Sequence, residues 1–421
     1  MDGVLIEPRA CLDAAVRIPG SKSCTARALV MAGMTRGASL LMQPADCDDT
    51  ARMIEGLDAL GAVVKREDNG LRITGGGLRA VNSPVFLGNS GTAMRFLTAC
   101  CGSIEGRTVL DGNARMRERP IGDLLDALRD WGVRAHGRAG IEGECPPVVI
   151  EGSAAFGGEA HIRGSASSQY LSGLLMVAPA AKRETVLRVE GELVSKPYID
   201  LTLGMMAERG VRVENDGYRL FRLAPGQDYA PGVYEIEADA SGASYFFAAA
   251  AVAGGRVRVT NLGVHSAQGD AQFPSVLARM GCIVEQTPEY IEVRSSGSLR
   301  GIDIDMNAMP DMAQTLAVTA LFADGPTTIR NVANLRIKEC DRISATAAEL
   351  RKLGAHVDEQ EDGLRVVPGT PRPARIGTYD DHRMAMSFAL AGLRIPGVVI
   401  LEPDCVAKTF PDFFERFGLL R

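Results

Sequence analysis

Six stretches of the chain are almost wholly apolar, and each begins at a short polar loop. A helix that is apolar on nearly all sides is expected to be buried, so the pattern predicts six buried helices. Ser, Asp, Thr or Gly stands near the start of each stretch, as is typical of helix N-caps. The stretches read GSKSCTARALVMAGM, NSGTAMRFLTACC, SASSQYLSGLLMVA, DASGASYFFAAAAVAGG, MPDMAQTLAVTALFADG and YDDHRMAMSFALAGL.

Amphipathic stretches alternate with the apolar ones, and each ends in a glycine that is usually followed by a β-branched run. Glycine adopts a left-handed backbone at little cost, so each of these glycines is predicted to end a helix. They are Gly61, Gly132, Gly210, Gly281, Gly354 and Gly418. Each repeat is therefore predicted to contain one buried helix, one outer helix and several short strands. Six such repeats would form two domains of three, which suits a chain of 421 residues.

The polar loops before the apolar stretches contain most of the candidate chemistry. If the N-termini of the buried helices converge, their free N–H groups and partial positive charges form an anion site. Taken singly, each loop is better explained as an ordinary cap, because every buried helix needs one.

Composition narrows the function classes. The chain is 46% hydrophobic and 23% charged, as is typical of a globular protein. A net charge of −6 and an aromatic content of 5% argue against nucleic acid as a partner. The nine cysteines are scattered without zinc-ligand spacing, and we expect reduced thiols and no metal or other cofactor. No signal peptide or membrane-spanning run is evident, so cytoplasm is the expected location.

Several motifs combine cations or hydroxyls with a predicted helix start. Lys22 begins the first buried helix, although a cation is unfavourable at that end of the helix dipole. The segment 88–92 would permit close backbone approach to a ligand, or would be a tight turn. The segment 165–169 has three hydroxyls and an amide, which suit a phosphate ester or ordinary capping.

The segment 334–342 is the most unusual. If it is helical, Asn334, Lys338 and Arg342 fall on one face with Glu339 beside them. A salt-bridged surface helix is the common alternative. Of the five histidines, His382 lies among acids and an arginine.

Nine strings occur in the same order as motifs of the EPSP synthases (3-phosphoshikimate 1-carboxyvinyltransferases), which are enolpyruvyl transferases. The chain resembles this family from about Gly3 to Phe417. The strings are PGSKS, LGNSGTAMR, RMRERPIGDL, SASSQ, VSKPYID, DASGASYFFAAAA, NLRIKECDR, YDDHRMAM and AKTFPDFF.

The resemblance implies an α/β fold of two similar inside-out barrel domains, each with three repeats and buried helices. Residues 1–19 with 238–421 would form one domain, and residues 20–237 the other. The chain would cross twice, near residues 19–20 and 237–239, and the active site would lie in the cleft.

The reaction implied by the resemblance moves the enolpyruvyl group of phosphoenolpyruvate (PEP) to the 5-hydroxyl of shikimate 3-phosphate and releases phosphate. It passes through a tetrahedral intermediate and serves aromatic amino acid biosynthesis. The resemblance further implies a monomer, possible inhibition by glyphosate and no need for a metal, since lysines and arginines neutralise the phosphates.

Residue roles follow from the same motifs. The shikimate 3-phosphate pocket would comprise Ser23, Arg27, Ser167, Ser168, Gln169, Ser195, Tyr198, Asp311, Asn334 and Lys338. The PEP site would comprise Lys22, Gly91, Arg119, Gln169, Arg342, Arg383 and Lys408. The catalytic groups would be Asp311 on the 5-hydroxyl, Lys22 and Glu339 at the methylene carbon, and His382 and Lys338 in support.

Three positions depart from the pattern expected of the family, namely Cys24, Ala26 and Phe96. Phe96 stands where proline is common, so we predict altered sensitivity to glyphosate. Two alternatives remain open. One is a UDP-N-acetylglucosamine enolpyruvyl transferase, although the loop cysteine typical of that enzyme is missing from residues 111–123. The other is a non-catalytic anion-binding homologue.

Overall fold

The computed structural model describes residues 3–68, 70–141, 143–165 and 167–421. The chain folds into two compact units. Unit 1 comprises Met1–Ser21 and Glu237–Arg421, and unit 2 comprises Lys22–Ile236. Each unit has its own hydrophobic core. The fold is mixed α/β.

Helices of two kinds alternate along the chain. Six are buried on nearly all sides, as the apolar stretches predict: α1 (Lys22–Met34), α3 (Gly91–Gly102), α5 (Ser168–Val177), α7 (Ala240–Ala253), α9 (Ala313–Thr319) and α11 (His382–Gly392). Six others follow them in turn: α2 (Asp48–Ala59), α4 (Gly122–Asp130), α6 (Lys196–Glu208), α8 (Phe273–Arg279), α10 (Arg342–Lys352) and α12 (Phe413–Gly418).

The strands are short. They are β1 (Val4–Leu5), β2 (Leu12–Val16), β3 (Gly37–Met42), β4 (Val63–Glu67), β5 (Gly70–Gly75), β6 (Val85–Phe86), β7 (Gly106–Asp111), β8 (Arg134–Gly140), β9 (Gly143–Gly152), β10 (Gly158–Arg163), β11 (Thr185–Glu190), β12 (Glu214–Asp216), β13 (Leu220–Leu223), β14 (Val233–Glu235), β15 (Gly255–Val259), β16 (Ile283–Gln286), β17 (Ile291–Arg294), β18 (Leu299–Arg300), β19 (Asp303–Asp305), β20 (Ala323–Asp324), β21 (Thr327–Arg330), β22 (His356–Gln360), β23 (Gly363–Val367), β24 (Arg375–Ile376) and β25 (Val399–Ile400).

Five sheets share one four-stranded pattern, in which a parallel pair is extended by an antiparallel hairpin. Their strand orders are β14-β3-β5-β4, β6-β7-β9-β8 and β10-β11-β13-β12 in unit 2, and β16-β17-β15-β2 and β19-β21-β23-β22 in unit 1. In three of these sheets the parallel pair flanks a buried helix, namely β6-α3-β7, β10-α5-β11 and β19-α9-β21, because a parallel connection requires a crossover. In the other two sheets the parallel partners, β3 with β14 and β2 with β15, are far apart in the chain. The repeats predicted from the sequence are therefore present in the strands as well as in the helices.

The sixth repeat differs from the other five. Its sheet has three strands in the order β1-β25-β24, and the N-terminal strand β1 pairs antiparallel with β25. The prediction that Gly418 ends the helix of this repeat with a left-handed backbone is wrong. The first five glycines have φ between 82° and 111°, whereas Gly418 is the last helical residue of α12 and is followed by a right-handed Leu419.

The two segments that connect the units pair with each other at the border of unit 1. Gly20 and Ala238 form an antiparallel bridge, and the amide of Ser21 donates to the carbonyl of Glu237 at 2.7 Å. The amide of Asp239 donates to the carbonyl of Pro19 at 2.8 Å. Both connecting segments are thus fixed by backbone hydrogen bonds.

A further correction concerns the segment 334–342, which is not one helix. Asn334 lies in a short 3₁₀ turn, Lys338 is extended, and α10 begins at Arg342. Asp341 ends the irregular part because its side chain caps α10 by accepting from the amide of Ser344 at 3.1 Å. The three residues predicted to share a helix face therefore do not.

All nine cysteines lie in the described part of the chain, and all are free thiols. Among the described residues, no helix combines the length and the apolar content that a membrane crossing requires.

Candidate functional site

Arg27 in the buried helix α1 is the centre of a polar cluster in unit 2. Its guanidinium donates to Thr202 Oγ1 at 2.8 Å, to Ser172 Oγ at 3.4 Å and to the carbonyls of Ser23 and Tyr198 at 3.0 and 3.1 Å. Every one of these partners is neutral. Burial lowers the pKa of Arg27 to about 10, and Cys24 and Tyr198 offset only part of the lost hydration of the cation. A buried arginine among hydroxyls and carbonyls is well suited to receive a phosphate.

Two serine motifs lie next to this cluster along the chain. Ser167 caps α5 by accepting from the amide of Gln169 at 3.3 Å, and Ser168 begins the helix. Ser195 precedes α6 with a left-handed backbone, φ 58°, and is buried. Such a conformation is costly for serine and persists only where the surrounding structure holds it.

Lys22 begins α1 and forms an ion pair with Asp49, with Nζ 3.0 Å from Oδ2. Asp49 is in the first turn of α2 and is 5% exposed. The carboxylate offsets the unfavourable position of a cation at a helix N-terminus. It also fixes the position of the ammonium group.

The N-terminus of α3 is occupied by a second cation. Arg119 is 3% exposed and donates to the carbonyl of Asn89 at 3.4 Å. A Cβ built on Gly91 would lie 2.6 Å from Nη2 of Arg119, so glycine is required for this approach. A buried guanidinium and a helix N-terminus both attract anions, and here they adjoin.

Gln169 connects α5 with α3. Its amide nitrogen donates to Thr92 Oγ1 at 3.1 Å, and its amide oxygen accepts from Arg95 at 2.6 Å. Its orientation is therefore set by two residues of the helix that presents Gly91.

Asp311 is the centre of the charged cluster in unit 1. One carboxylate oxygen accepts from Arg342 Nη1 at 3.1 Å and the other from Arg383 Nη2 at 2.7 Å. Arg383 also lies 3.4 Å from the hydroxyl of Tyr245. The carboxylate thus lies between two arginines at the start of α9 instead of capping the helix.

Arg342 is 2% exposed and is surrounded by carboxylates. Besides Asp311, it donates to Glu339 at 2.8 Å and to both oxygens of Asp381, at 2.7 and 3.2 Å. Burial alone would lower the pKa of Arg342, but these carboxylates raise it. The guanidinium is charged at every physiological pH.

Two further predicted residues of unit 1 lie beside carboxylates of this cluster. Lys408 Nζ lies 4.0 Å from Glu339 Oε1. His382 begins α11, is 1% exposed and has its Nδ1 3.6 Å from Asp381 Oδ1. Asn334 and Lys338 precede Glu339 in the irregular segment.

Four residues that hold these clusters together are not among those predicted from the sequence. Asp49 and Asp381 each bind a predicted cation, and Ser172 and Thr202 complete the shell of Arg27. Ser172 could have been found, since it lies one turn after Ser168 on a predicted buried helix. Pairing of the two aspartates with their cations depends on tertiary structure.

No group of three or more His, Cys, Asp or Glu side chains within residues 3–68, 70–141, 143–165 and 167–421 is arranged to hold a metal ion.

Comparison with known families decides the classification. The family model for EPSP synthase (3-phosphoshikimate 1-carboxyvinyltransferase) matches residues 6–417. The chain belongs to the EPSP synthase family.

Relatives within the EPSP synthase family cover the whole chain. A 3-phosphoshikimate 1-carboxyvinyltransferase of Serratia proteamaculans is 49% identical over 427 residues, covering 99% of this chain and 98% of its own. One from Yersinia pseudotuberculosis is 48% identical over 434 residues, covering 100% and 99%.

Solved structures of enolpyruvyl transferases have a similar fold. An EPSP synthase of Acinetobacter baumannii superimposes with a TM-score of 0.81 at 26% identity, covering 98% of this chain and 97% of its own. The enolpyruvyl transferase NikO of Streptomyces tendae has a TM-score of 0.78 at 20% identity, covering 99% and 96%, and shares the fold.

Phe96, the departure from the EPSP synthase pattern predicted to matter, is fully buried in α3. Its ring faces the guanidinium of Arg27, with the carbon Cζ 5.5 Å from the ring centroid. It therefore contacts the neutral cluster around Arg27.

Proposed function

We propose that the protein transfers the enolpyruvyl group of PEP to the 5-hydroxyl of shikimate 3-phosphate, giving 5-enolpyruvylshikimate 3-phosphate and phosphate. One structural observation carries the proposal within the family assignment. Asp311, a carboxylate able to orient a hydroxyl, lies between two buried arginines that could neutralise a polyanionic substrate. Glu339 adjoins the same arginine, so an acid and a base are available together.

Shikimate 3-phosphate would be bound through its phosphate by the cluster around Arg27. The proposed ligands are Ser23, Arg27, Ser167, Ser168, Gln169, Ser195 and Tyr198, with Asp311, Asn334 and Lys338 on the remaining polar groups. Neutral surroundings favour this role, because the first negative charge to reach Arg27 is the substrate's. The left-handed Ser195 supports it too, since strained residues cluster at ligand sites.

PEP would be bound by cations from both units. Lys22, Gly91, Arg119 and Gln169 are the proposed ligands in unit 2, and Arg342, Arg383 and Lys408 those in unit 1. Arg119 at the α3 N-terminus offers a forked donor to a carboxylate or phosphate. Arg342 and Arg383 are already oriented by Asp311, so little side-chain freedom is lost on binding.

The chemistry proposed is addition followed by elimination. Asp311 takes the proton of the 5-hydroxyl as its oxygen attacks C2 of PEP, while Lys22 or Glu339 protonates the methylene carbon. The tetrahedral adduct then expels phosphate, and the group that protonated the methylene carbon, Lys22 or Glu339, takes a proton back from the new methyl group to restore the double bond. His382 and Lys338 support these transfers. Positioned acids and bases of this kind typically contribute roughly 10²–10⁴-fold each.

We further propose that the two units are the inside-out barrel domains of the family, with the active site in the cleft between residues 1–19 plus 238–421 and residues 20–237. The threefold repetition of the sheets within unit 2 supports the barrel proposal. Glyphosate inhibition and a monomeric state rest on the family resemblance, and a cytoplasmic location rests on the sequence pattern.

The deciding experiment follows phosphate release from PEP with shikimate 3-phosphate and, in parallel, with UDP-N-acetylglucosamine, each with a chelator present. Turnover with the first acceptor alone is expected. Turnover with the second alone would replace the proposed acceptor but keep the chemistry. Failure with both would favour a non-catalytic homologue and withdraw the roles of Asp311 and Glu339.

A further inference from the structure

The residues just before α11 have a strained backbone. Tyr379 and Asp380 are both left-handed, with φ of 56° and 53°. For residues with side chains this conformation is unfavourable, and two in succession persist only when the surroundings hold them. The next residue, Asp381, caps α11 by accepting from the amide of Arg383 at 2.8 Å and binds Arg342. The strained segment therefore leads directly into the arginine cluster.

A buried glutamate holds this segment. Glu349 lies in α10, and its side chain is fully withdrawn from solvent. Its carboxylate accepts from the hydroxyl of Tyr379 at 2.7 Å, from the amide of Gly377 at 3.2 Å and from Nζ of Lys352 at 2.8 Å. A buried carboxylate is costly unless it is hydrogen-bonded. Two of its three donors, Gly377 and Tyr379, belong to the segment 377–381, which contains the strained residues.

Helix α10 contacts the segment 377–381 at two places. Arg342, the first residue of α10, binds Asp381. Glu349 lies two turns later on the same face of the helix and binds Gly377 and Tyr379. The segment therefore cannot relax at Tyr379 without changing the geometry of Asp381 against Arg342. Lys352, the third partner of Glu349, is 49% exposed and lies outside the segment.

We infer that Glu349 and Tyr379 are positioning residues for the PEP site, because their hydrogen bond fixes the segment that places Asp381 against Arg342. Neither residue belongs to the set proposed above to touch substrate. The inference rests on the proposed function, which assigns Arg342 to PEP.

The test is Tyr379→Phe, which removes one hydroxyl and keeps the ring. With Arg342 less well oriented, KM for PEP should rise about tenfold, as expected when a hydrogen bond to a charged group is lost. KM for shikimate 3-phosphate should stay within about twofold of the wild type. Glu349→Gln retains an acceptor for the hydroxyl and should give a smaller rise in KM for PEP than Tyr379→Phe.

Lys352→Met is the matched control. It removes the other side-chain donor to Glu349 and leaves the segment 377–381 intact, so both KM values should be unchanged. If Tyr379→Phe lowers the melting temperature but leaves KM for PEP at the wild-type value, the hydrogen bond is merely structural and the inference is wrong. A rise in both KM values with Lys352→Met would overturn it as well.

Calorimetric titration with PEP separates this inference from the proposed function. Wild-type protein that binds PEP without turning over shikimate 3-phosphate would remove the proposed acceptor. The ratio of PEP dissociation constants between Tyr379→Phe and wild type would still decide the role of Tyr379, and a ratio near one would refute it.

Discussion

The guanidinium of Arg119 occupies the space that a side chain at Gly91 would need, with Nη2 2.6 Å from the position of a Cβ. The cation thereby reaches the first turn of α3, where free backbone N–H groups point outward. Glycine at this position is thus needed for the approach of Arg119.

Gly91→Ala tests this relationship. The added methyl group should displace the Arg119 side chain, because the end of a long side chain moves more easily than the buried backbone of α3. KM for PEP should rise roughly tenfold while KM for shikimate 3-phosphate changes little. Steady-state kinetics with each substrate varied would measure both.

Gly204→Ala is the control for that substitution. Gly204 lies in α6 with open space where its Cβ would stand, so alanine should raise the free energy of unfolding by roughly 0.5–1 kcal/mol. Kinetic constants like those of the wild type are expected. Equal effects of the two variants on KM for PEP would disprove the special role of Gly91.

Asp311→Asn keeps the shape of the side chain and removes its charge. We expect kcat to fall by roughly 10²–10⁴-fold, since the proposed base is lost. Asp303→Asn is a matched control, because Asp303 forms an exposed ion pair with Arg330, and such pairs contribute little. Phosphate-release assays on both variants give the comparison, and full activity of Asp311→Asn would contradict the proposed chemistry.

Arg27→Met separates binding from stability. Loss of the guanidinium should raise KM for shikimate 3-phosphate by about 100-fold or more, because a buried cation opposite a phosphate is removed.

The pKa of Arg27 is lowered by burial to about 10. Because the pKa of Arg27 is lower in the folded protein than in the unfolded chain, burying the charged guanidinium destabilises the fold. This destabilisation is complete below about pH 10, and it decreases as the pH rises from about 10 towards the pKa of arginine in the unfolded chain.

Arg27→Met removes this destabilisation. The free energy of unfolding of the variant, relative to that of the wild type, should therefore be most favourable at neutral pH and should become less favourable above about pH 10. Chemical denaturation at several pH values measures it. A large loss of stability at neutral pH with unchanged KM would show that Arg27 is a structural residue.

Phe96 provides a test with glyphosate. Its ring packs on the Arg27 guanidinium inside α3, so replacing it should shift the helix that presents Gly91. We expect the glyphosate inhibition constant of Phe96→Pro to differ from that of the wild type. Phe96→Leu, which removes the ring without adding proline, distinguishes the aromatic contact from the helix geometry. Identical inhibition of wild type and Phe96→Pro would end the idea.

The helices were largely predictable from the sequence because their signals are local. A stretch such as residues 240–253 is apolar all round and must be buried, and a glycine such as Gly132 adopts a positive φ where the helix ends. The prediction failed where local rules compete. The spacing of Asn334, Lys338 and Arg342 fits a helix, but the Asp341 cap starts the helix at Arg342.

The cationic residues of the candidate site could be predicted from the sequence, but the carboxylates that pair with them could not. Charged residues at helix starts, such as Lys22 and Arg383, stand out in the sequence. Asp49 and Asp381 do not, because an aspartate near a helix start is usually a cap. Their ion pairs join residues far apart in the chain. Glu349 gave no signal at all, since a glutamate on an amphipathic helix is ordinarily exposed.

The pairing of β1 and β2 with β25 and β15 has a consequence for how the chain acquires its fold. Unit 2 is continuous, from Lys22 to Ile236, and its last strand completes its first sheet. During synthesis it can become native once that strand has emerged from the ribosome. The first 21 residues must wait for partners made more than two hundred residues later, so unit 1 is the slower to form.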